Sequence, residues 1–406
     1  MFMLKKISGD MLLNIIAAFV PSAVLQLLVL PLVASRMTNE GYGEAVAVIA
    51  LFGSISLTLG NVCNNVRLLN DRKYHESNVA GDFLPIVFSA MFINSALICL
   101  GTLIISQFGL VDIVSIVLSA AVMFVREYSI VQFRLELNYS RILISNLIQA
   151  VGYLVGYFLF LLCGVWSIVY LTGYLISLLY IAIVSDILRE PLSITTSFKD
   201  TLKDVGFLSV SGLLNKITAY ADRLLLMPLS GGSSVAIYYV SSLFGKMLSL
   251  LINPINNVIL SYLVKESRKS SKTFFLSLGI GLLLCAVGFV LTLLISDPLL
   301  RCMYPQYVDE AMRYIIPSSL AAYVMVLTSI ANPFVMRFCD LRWQIFLNGV
   351  FCAVFFGFGI LGFYLAGLMG FCIAVLVSNV VKLVLIVLLF IYRTSSELSK
   401  FNTLCK

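Results

Sequence analysis

Lys216-Ile-Thr-Ala-Tyr-Ala-Asp-Arg-Leu-Leu-Leu-Met-Pro-Leu-Ser-Gly-Gly-Ser-Ser234 begins inside an apolar run, Val205 to Leu229, long enough to cross a bilayer. Such a segment dissolves in lipid, yet this one carries Lys216, Asp222 and Arg223. A charge at the bilayer centre costs about 2.5–3.5 kcal/mol on insertion scales, so intramembrane charges face a partner, water or a ligand. The wheel puts Lys216, Tyr220 and Arg223 on one stripe and Ser211, Asn215 and Asp222 on the next. Leu214, Ile217, Ala221 and Leu225 lie on the far side. The reading is a helix with one wet half and one oily half.

The rest of the chain has the same character. Its 406 residues are 60% hydrophobic and 12% charged, with mean hydropathy +1.02. A soluble chain of this size cannot hide that much apolar surface. Apolar runs of about 20 residues, rather than alternating runs of about 10, select helices over a barrel. Broken at charges, Gly and Pro, the runs give twelve spans: 11–35, 43–66, 83–106, 111–133, 142–163, 166–187, 205–229, 235–262, 274–296, 311–336, 343–364 and 367–391. The expected fold is an all-α polytopic membrane protein of twelve helices in two six-helix pseudo-symmetric lobes around a central cavity. Residues 1–190 form the first lobe, 191–204 a cytoplasmic linker and 205–406 the second lobe.

Charge placement orients the chain. With the N-terminus inside, nineteen Lys and Arg fall in inner loops and three (Arg36, Arg301, Arg313) in outer loops. Basic loops stay cytoplasmic, so both termini are expected inside. The net charge of +7 is therefore topology, and no nucleic-acid partner is expected. The nine cysteines form no CxxC pair and there is one histidine, His75, so neither a Cys/His metal site nor any other cofactor is expected. No GxxxxGK[ST] loop is present, which excludes a P-loop nucleotide site. No catalytic cluster points to an enzyme.

The halves repeat. Leu30-Pro31-Leu32 precedes Leu51-Phe52-Gly53 in the first, and Met227-Pro228-Leu229 precedes Leu243-Phe244-Gly245 in the second. Six spans per half gives both the same orientation, the pattern of parallel repeats with a site between them.

Five basic residues remain inside spans: Arg126, Lys216, Arg223, Lys246 and Lys382. The clear acidic partners there are Glu127 and Asp222. Arg126 and Glu127 are adjacent and can neutralise each other, and Lys382 has room to snorkel toward the inner interface. The bases left over need water or a transient anion. The candidate cavity residues are thus Lys216, Asp222, Arg223, Lys246, Arg126, Glu127, Asn215 and Tyr220.

Thr38-Asn-Glu-Gly-Tyr-Gly43, Asp222-Arg-Leu-Leu-Leu-Met-Pro-Leu229 with Tyr238 or Tyr239 after it, and Met303-Tyr-Pro-Gln-Tyr-Val-Asp-Glu-Ala311 resemble the polysaccharide transporters of the MOP (multidrug/oligosaccharidyl-lipid/polysaccharide) superfamily. Within it the chain looks most like a Wzx-type O-antigen flippase. The resemblance implies alternating-access transfer of an undecaprenyl-pyrophosphate-linked oligosaccharide from the inner to the outer leaflet of a bacterial inner membrane. Lys216, Arg223 and Lys246 would meet the anionic passenger. A coupling proton or sodium ion, a polysaccharide polymerase and a chain-length regulator are the further partners it implies, beside the bilayer. A MATE-like multidrug antiporter is the main alternative; its cation passengers would call for surplus carboxylates, and here the surplus is basic. An O-antigen polymerase is the remaining one, and the short outer loops argue against it.

Overall fold

The computed structural model describes residues 16, 17, 19–76, 81–106, 108–265, 271–338 and 341–404. Among these there is no strand. The helices are α1 (Phe19–Ala34), α2 (Asn39–Glu76), α3 (Phe83–Ile105), α4 (Leu110–Ser129), the short α5 (Val131–Leu135), α6 (Tyr139–Cys163), α7 (Ile168–Val184), α8 (Phe198–Lys265), α9 (Ser271–Met303), α10 (Val308–Phe338) and α11 (Leu341–Leu404). Seven of the described helices are long and apolar enough to cross a membrane, and α1 and α7 are shorter apolar helices.

The two longest helices are broken by glycine. Gly231 sits in α8 at φ 77, and Gly367 in α11 at φ 58 beside Ala366. Positive φ disfavours every side chain with a Cβ, so the chain turns where the sequence predicts an inter-span loop. Two further irregularities have no glycine-angle cause. α1 contains a π-turn at Val24–Val29 and α2 one at Phe52–Ser56; such turns widen a helix and concentrate at functional positions.

The chain forms two compact units, residues 1–235 and 236–406. In the first, α6 and α7 pack through small residues: a Cβ on Gly152 would lie 2.8 Å from Gly173 Cα, and one on Gly156 2.7 Å from Val169 Cα. Close backbone approach of this kind replaces the hydrophobic drive that lipid cannot supply. Tyr153 completes the contact, with ring centroids 6.0 Å from Tyr170 and 6.1 Å from Tyr174. In the second unit α9 buries a narrow stripe, Phe274, Gly281, Cys285, Thr292, Ser296 and Leu300. Its remaining surface exposes Leu276, Leu283, Val290 and Leu294. In water such a face would aggregate, whereas in a bilayer it is solvated by acyl chains.

The segment before α8 and the first turns of α8 pack at the basic end of α2. Arg67 pairs with Glu190 at 2.8 Å and stacks over Phe83 at 4.2 Å. Asn70 donates to Asp204 at 3.2 Å. Burial holds the Glu190 carboxyl above its ordinary range, against the pull of Arg67. Fully buried Asp82, at φ 68, accepts from Tyr74 Oη at 2.7 Å and Thr195 N at 2.6 Å, and also from the Thr195 hydroxyl. Asp82→Ala removes this acceptor, a loss of at least about 2 kcal/mol for hydrogen bonds to a charged group. The Thr195 amide should then exchange its proton about 30-fold faster by hydrogen-exchange mass spectrometry; an unchanged rate would mean that other contacts hold the segment.

Candidate functional site

Two groups of charges stand inside the first unit. Arg126 projects from α4 and is 4% exposed. Its Nη1 reaches Glu127 Oε1 at 2.6 Å, its Nε donates to Ser177 Oγ at 3.1 Å, and its Nη2 donates to Asn146 Oδ1 and, at 3.5 Å, to Ser145 Oγ. Asn146 donates in turn to the Ala17 carbonyl at 2.8 Å. One guanidinium thus ties α4, α6, α7 and the start of the chain together. Glu127 lies against Gly60 of α2, where a Cβ would stand 2.8 Å from the Glu127 Cβ. This is a closed network with its charge balanced.

The second group is on α8. Asp222 and Arg223 are 6% and 8% exposed, and the Arg223 amide donates to Asp222 Oδ1 at 2.9 Å. Half-buried Tyr220 sets its ring against Gly53, where any Cβ would overlap it. That explains the glycine of the first Leu-Phe-Gly repeat, placed inside the π-turn of α2. Lys216, two turns earlier, is exposed and has no ion pair or hydrogen bond among the described residues. Exposure therefore changes along the helix: open at Ser211, Lys216 and Ala219, closed at Ala221, Asp222 and Arg223. A uniformly wet half is not what α8 presents. The side chain of Asn215 lies outside the described residues.

Lys246 belongs to the second unit. It is half-buried, with Nζ 5.1 Å from the centroid of Tyr238. The glycine before it, Gly245, meets α10: a Cβ there would lie 2.7 Å from the Ala322 Cβ. Both repeated glycines are thus positions of close approach.

Sequence alone assigns no role to Glu40. Its carboxylate accepts from Gly232 N at 2.6 Å, Ser233 N at 2.9 Å and Ser233 Oγ at 3.0 Å. Thr38 caps α2 by accepting from Gly41 N at 3.1 Å, and a Cβ on Gly43 would overlap the Gly232 backbone. Thr38, Glu40 and Gly43 of the Thr38–Gly43 motif therefore serve the helix start and its contact with the turn at Gly231–Ser233. The Gly-Gly pair is the visible signal; its partner, some 190 residues away, is not.

No protein-family model matches the chain, and no curated protein matches its sequence. Solved structures do match in fold. An inward-facing multidrug resistance MATE family transporter of the MOP superfamily superposes with TM-score 0.69 at 13% identity, covering 95% of this chain and 96% of that one. The lipid II flippase MurJ, in an inward closed conformation, gives TM-score 0.63 at 13% identity, over 94% of this chain and 85% of that one. The Vibrio cholerae MATE transporter VcmN in its bent form gives 0.54 at 14% identity, over 97% and 98%. The chain has the fold shared by MATE transporters and MurJ, a multi-pass helical membrane fold.

Proposed function

We propose that the chain is a membrane transporter whose passenger is anionic, a flippase moving an undecaprenyl-pyrophosphate-linked O-antigen or related polysaccharide repeat unit from the inner to the outer leaflet of a bacterial inner membrane. Twelve spans in two six-span halves, rocking by alternating access with both termini inside, are part of this reading. The observation that carries it is Lys216: an exposed lysine of α8, inside a span read from sequence, without an ion pair or hydrogen bond among the described residues. A pyrophosphate needs compensation across about 30 Å of hydrocarbon, and a lysine without a carboxylate partner is able to supply it. Lys216 and Lys246 are the proposed contacts; Arg223, at 8% exposure, lies with Asp222 and Tyr220 in the closed part of α8 and adds its positive charge to that side of the helix. Arg126 and Glu127 serve in this reading as the balanced core of the first half.

A second reading, a MATE-like cation-coupled multidrug antiporter, is favoured by fold neighbours that are themselves MATE transporters. The sign of the in-span charge separates the two, because a cation passenger would be repelled by Lys216. Deleting the gene is expected to remove surface polysaccharide while lipid-linked repeat units accumulate on the inner leaflet. Normal surface polysaccharide, or loss of the inner-leaflet precursor as well, would sink the flippase assignment. Drug sensitivity as the sole phenotype would establish the antiporter.

A further inference from the structure

By sequence Lys382 has room to snorkel, and the structure places it otherwise. It lies on the second part of α11, where Val375, Ser378, Asn379, Ile386 and Phe390 form the buried stripe. The opposite stripe, Ile373, Val377, Val380, Val384 and Leu388, is exposed. Lys382 falls on the buried side, half-buried, about 15 Å along the helix from Tyr392 at 1.5 Å per residue. Its ammonium stands 4.5 Å from the centroid of Phe351. It is therefore directed into the unit, away from lipid.

Three facts describe its surroundings. First, all six side-chain carboxylates of residues 236–406 (Glu266, Asp297, Asp309, Glu310, Asp340 and Glu397) fall outside the spans read from sequence. Second, among the described residues Lys382 makes no hydrogen bond and no ion pair. Third, the wall behind it is aromatic. Phe351 packs on Phe355 at 5.7 Å, Phe355 on Phe371 at 6.4 Å, and Phe371 on Tyr238 at 5.6 Å. An ammonium has three N–H groups to satisfy. A ring face takes up part of the charge and none of the donors. The three donors of Nζ thus have no acceptor among the described residues, and no side-chain carboxylate lies in this unit's spans as read from sequence.

We propose that Lys382 is an oxyanion position in the interior of the second unit, taking a phosphate or pyrophosphate group. Lysine binds phosphate as a point charge with three donors, and a water-poor aromatic wall strengthens that attraction. The nature of the anion rests on the transport reading above; the position rests on the geometry alone.

The test is amine footprinting of the intact protein in nanodiscs. A membrane-permeant acylating reagent labels accessible lysines, and digestion with mass spectrometry reads Lys382 and Lys216 separately. Four preparations are compared: phosphatidylcholine discs alone, the same discs with inorganic pyrophosphate, discs containing phosphatidylglycerol, and discs containing undecaprenyl pyrophosphate. At a ligand concentration about ten times its Kd, labelling of Lys382 should slow about tenfold, as mass action on one site requires. Slowing by inorganic pyrophosphate shows that the free group suffices. Slowing only by undecaprenyl pyrophosphate assigns the lipid-linked form, and slowing only by phosphatidylglycerol assigns a membrane phospholipid. Protection of Lys216 without Lys382 overturns the proposal and leaves the transport reading standing. Protection of neither overturns both. A Lys382 that fails to label even without anion is closed to ligands, and that also overturns it.

Discussion

Glu127→Gln is expected to deplete the protein from the membrane, and Arg126→Met combined with Glu127→Gln to restore much of it. The single change keeps the shape and the hydrogen-bonding oxygen but strands the Arg126 guanidinium, 5% exposed at its side chain, without its carboxylate. Breaking a buried pair from one side costs about 3–5 kcal/mol, comparable with the whole stability of a marginal protein. The double change removes the charge together with its partner. Ser177 and Asn146 lose a donor, about 1 kcal/mol each on a net scale, so the double variant should be the more stable of the two. The measurement is the amount of folded protein in detergent extracts together with its unfolding midpoint. If the single and double variants fall equally, the two residues are not coupled and Arg126 is compensated elsewhere.

Lys216→Ala is expected to do the reverse, leaving the protein in place and abolishing export. Nothing among the described residues depends on its ammonium, so folding loses no ion pair. If it meets the passenger, the loss of a charge-assisted contact of about 1.5–3 kcal/mol weakens binding roughly ten- to hundredfold. Lys216→Arg should keep most export, because the charge is retained. Arg223→Ala provides the contrast: with 8% exposure its removal leaves a void in a closed region, and the amount of protein should fall with export. Surface polysaccharide measured against membrane protein, variant by variant, separates the cases. Wild-type export from Lys216→Ala at normal protein levels would mean that the passenger never touches it.

That the chain is helical and membrane-embedded was legible residue by residue, because apolar length in lipid is a local property: a run of about 20 apolar residues has no other way to satisfy its backbone. The turns at Gly231 and near Gly367 were legible for the same reason, as composition breaks. The adjacency of Arg126 and Glu127 already said that they neutralise each other. Reasoning by spacing could not, however, bring Ser177 of α7 and Asn146 of α6 to that guanidinium, since the packing of three helices decides it.

Which charges are closed and which are open was a tertiary matter. The helical wheel puts Lys216 and Arg223 on one stripe, and wheels carry no depth; the ring of Tyr220 against Gly53 and the burial of Asp222 and Arg223 are matters of packing. Lys382 reads as a snorkelling residue because distance from a span end is all that sequence records. The direction of its side chain depends on the face α11 turns toward Phe351. Glu40 is the plainest case. Its role requires two backbone amides some 190 residues away, and backbone amides leave no trace in the identity of the residues that carry them. Sequence by itself determined the solvent, the helices and the sign of the charge, all set by local transfer energies. Only the folded chain decided which charges have partners, because partnership is a matter of contact between segments far apart in the sequence.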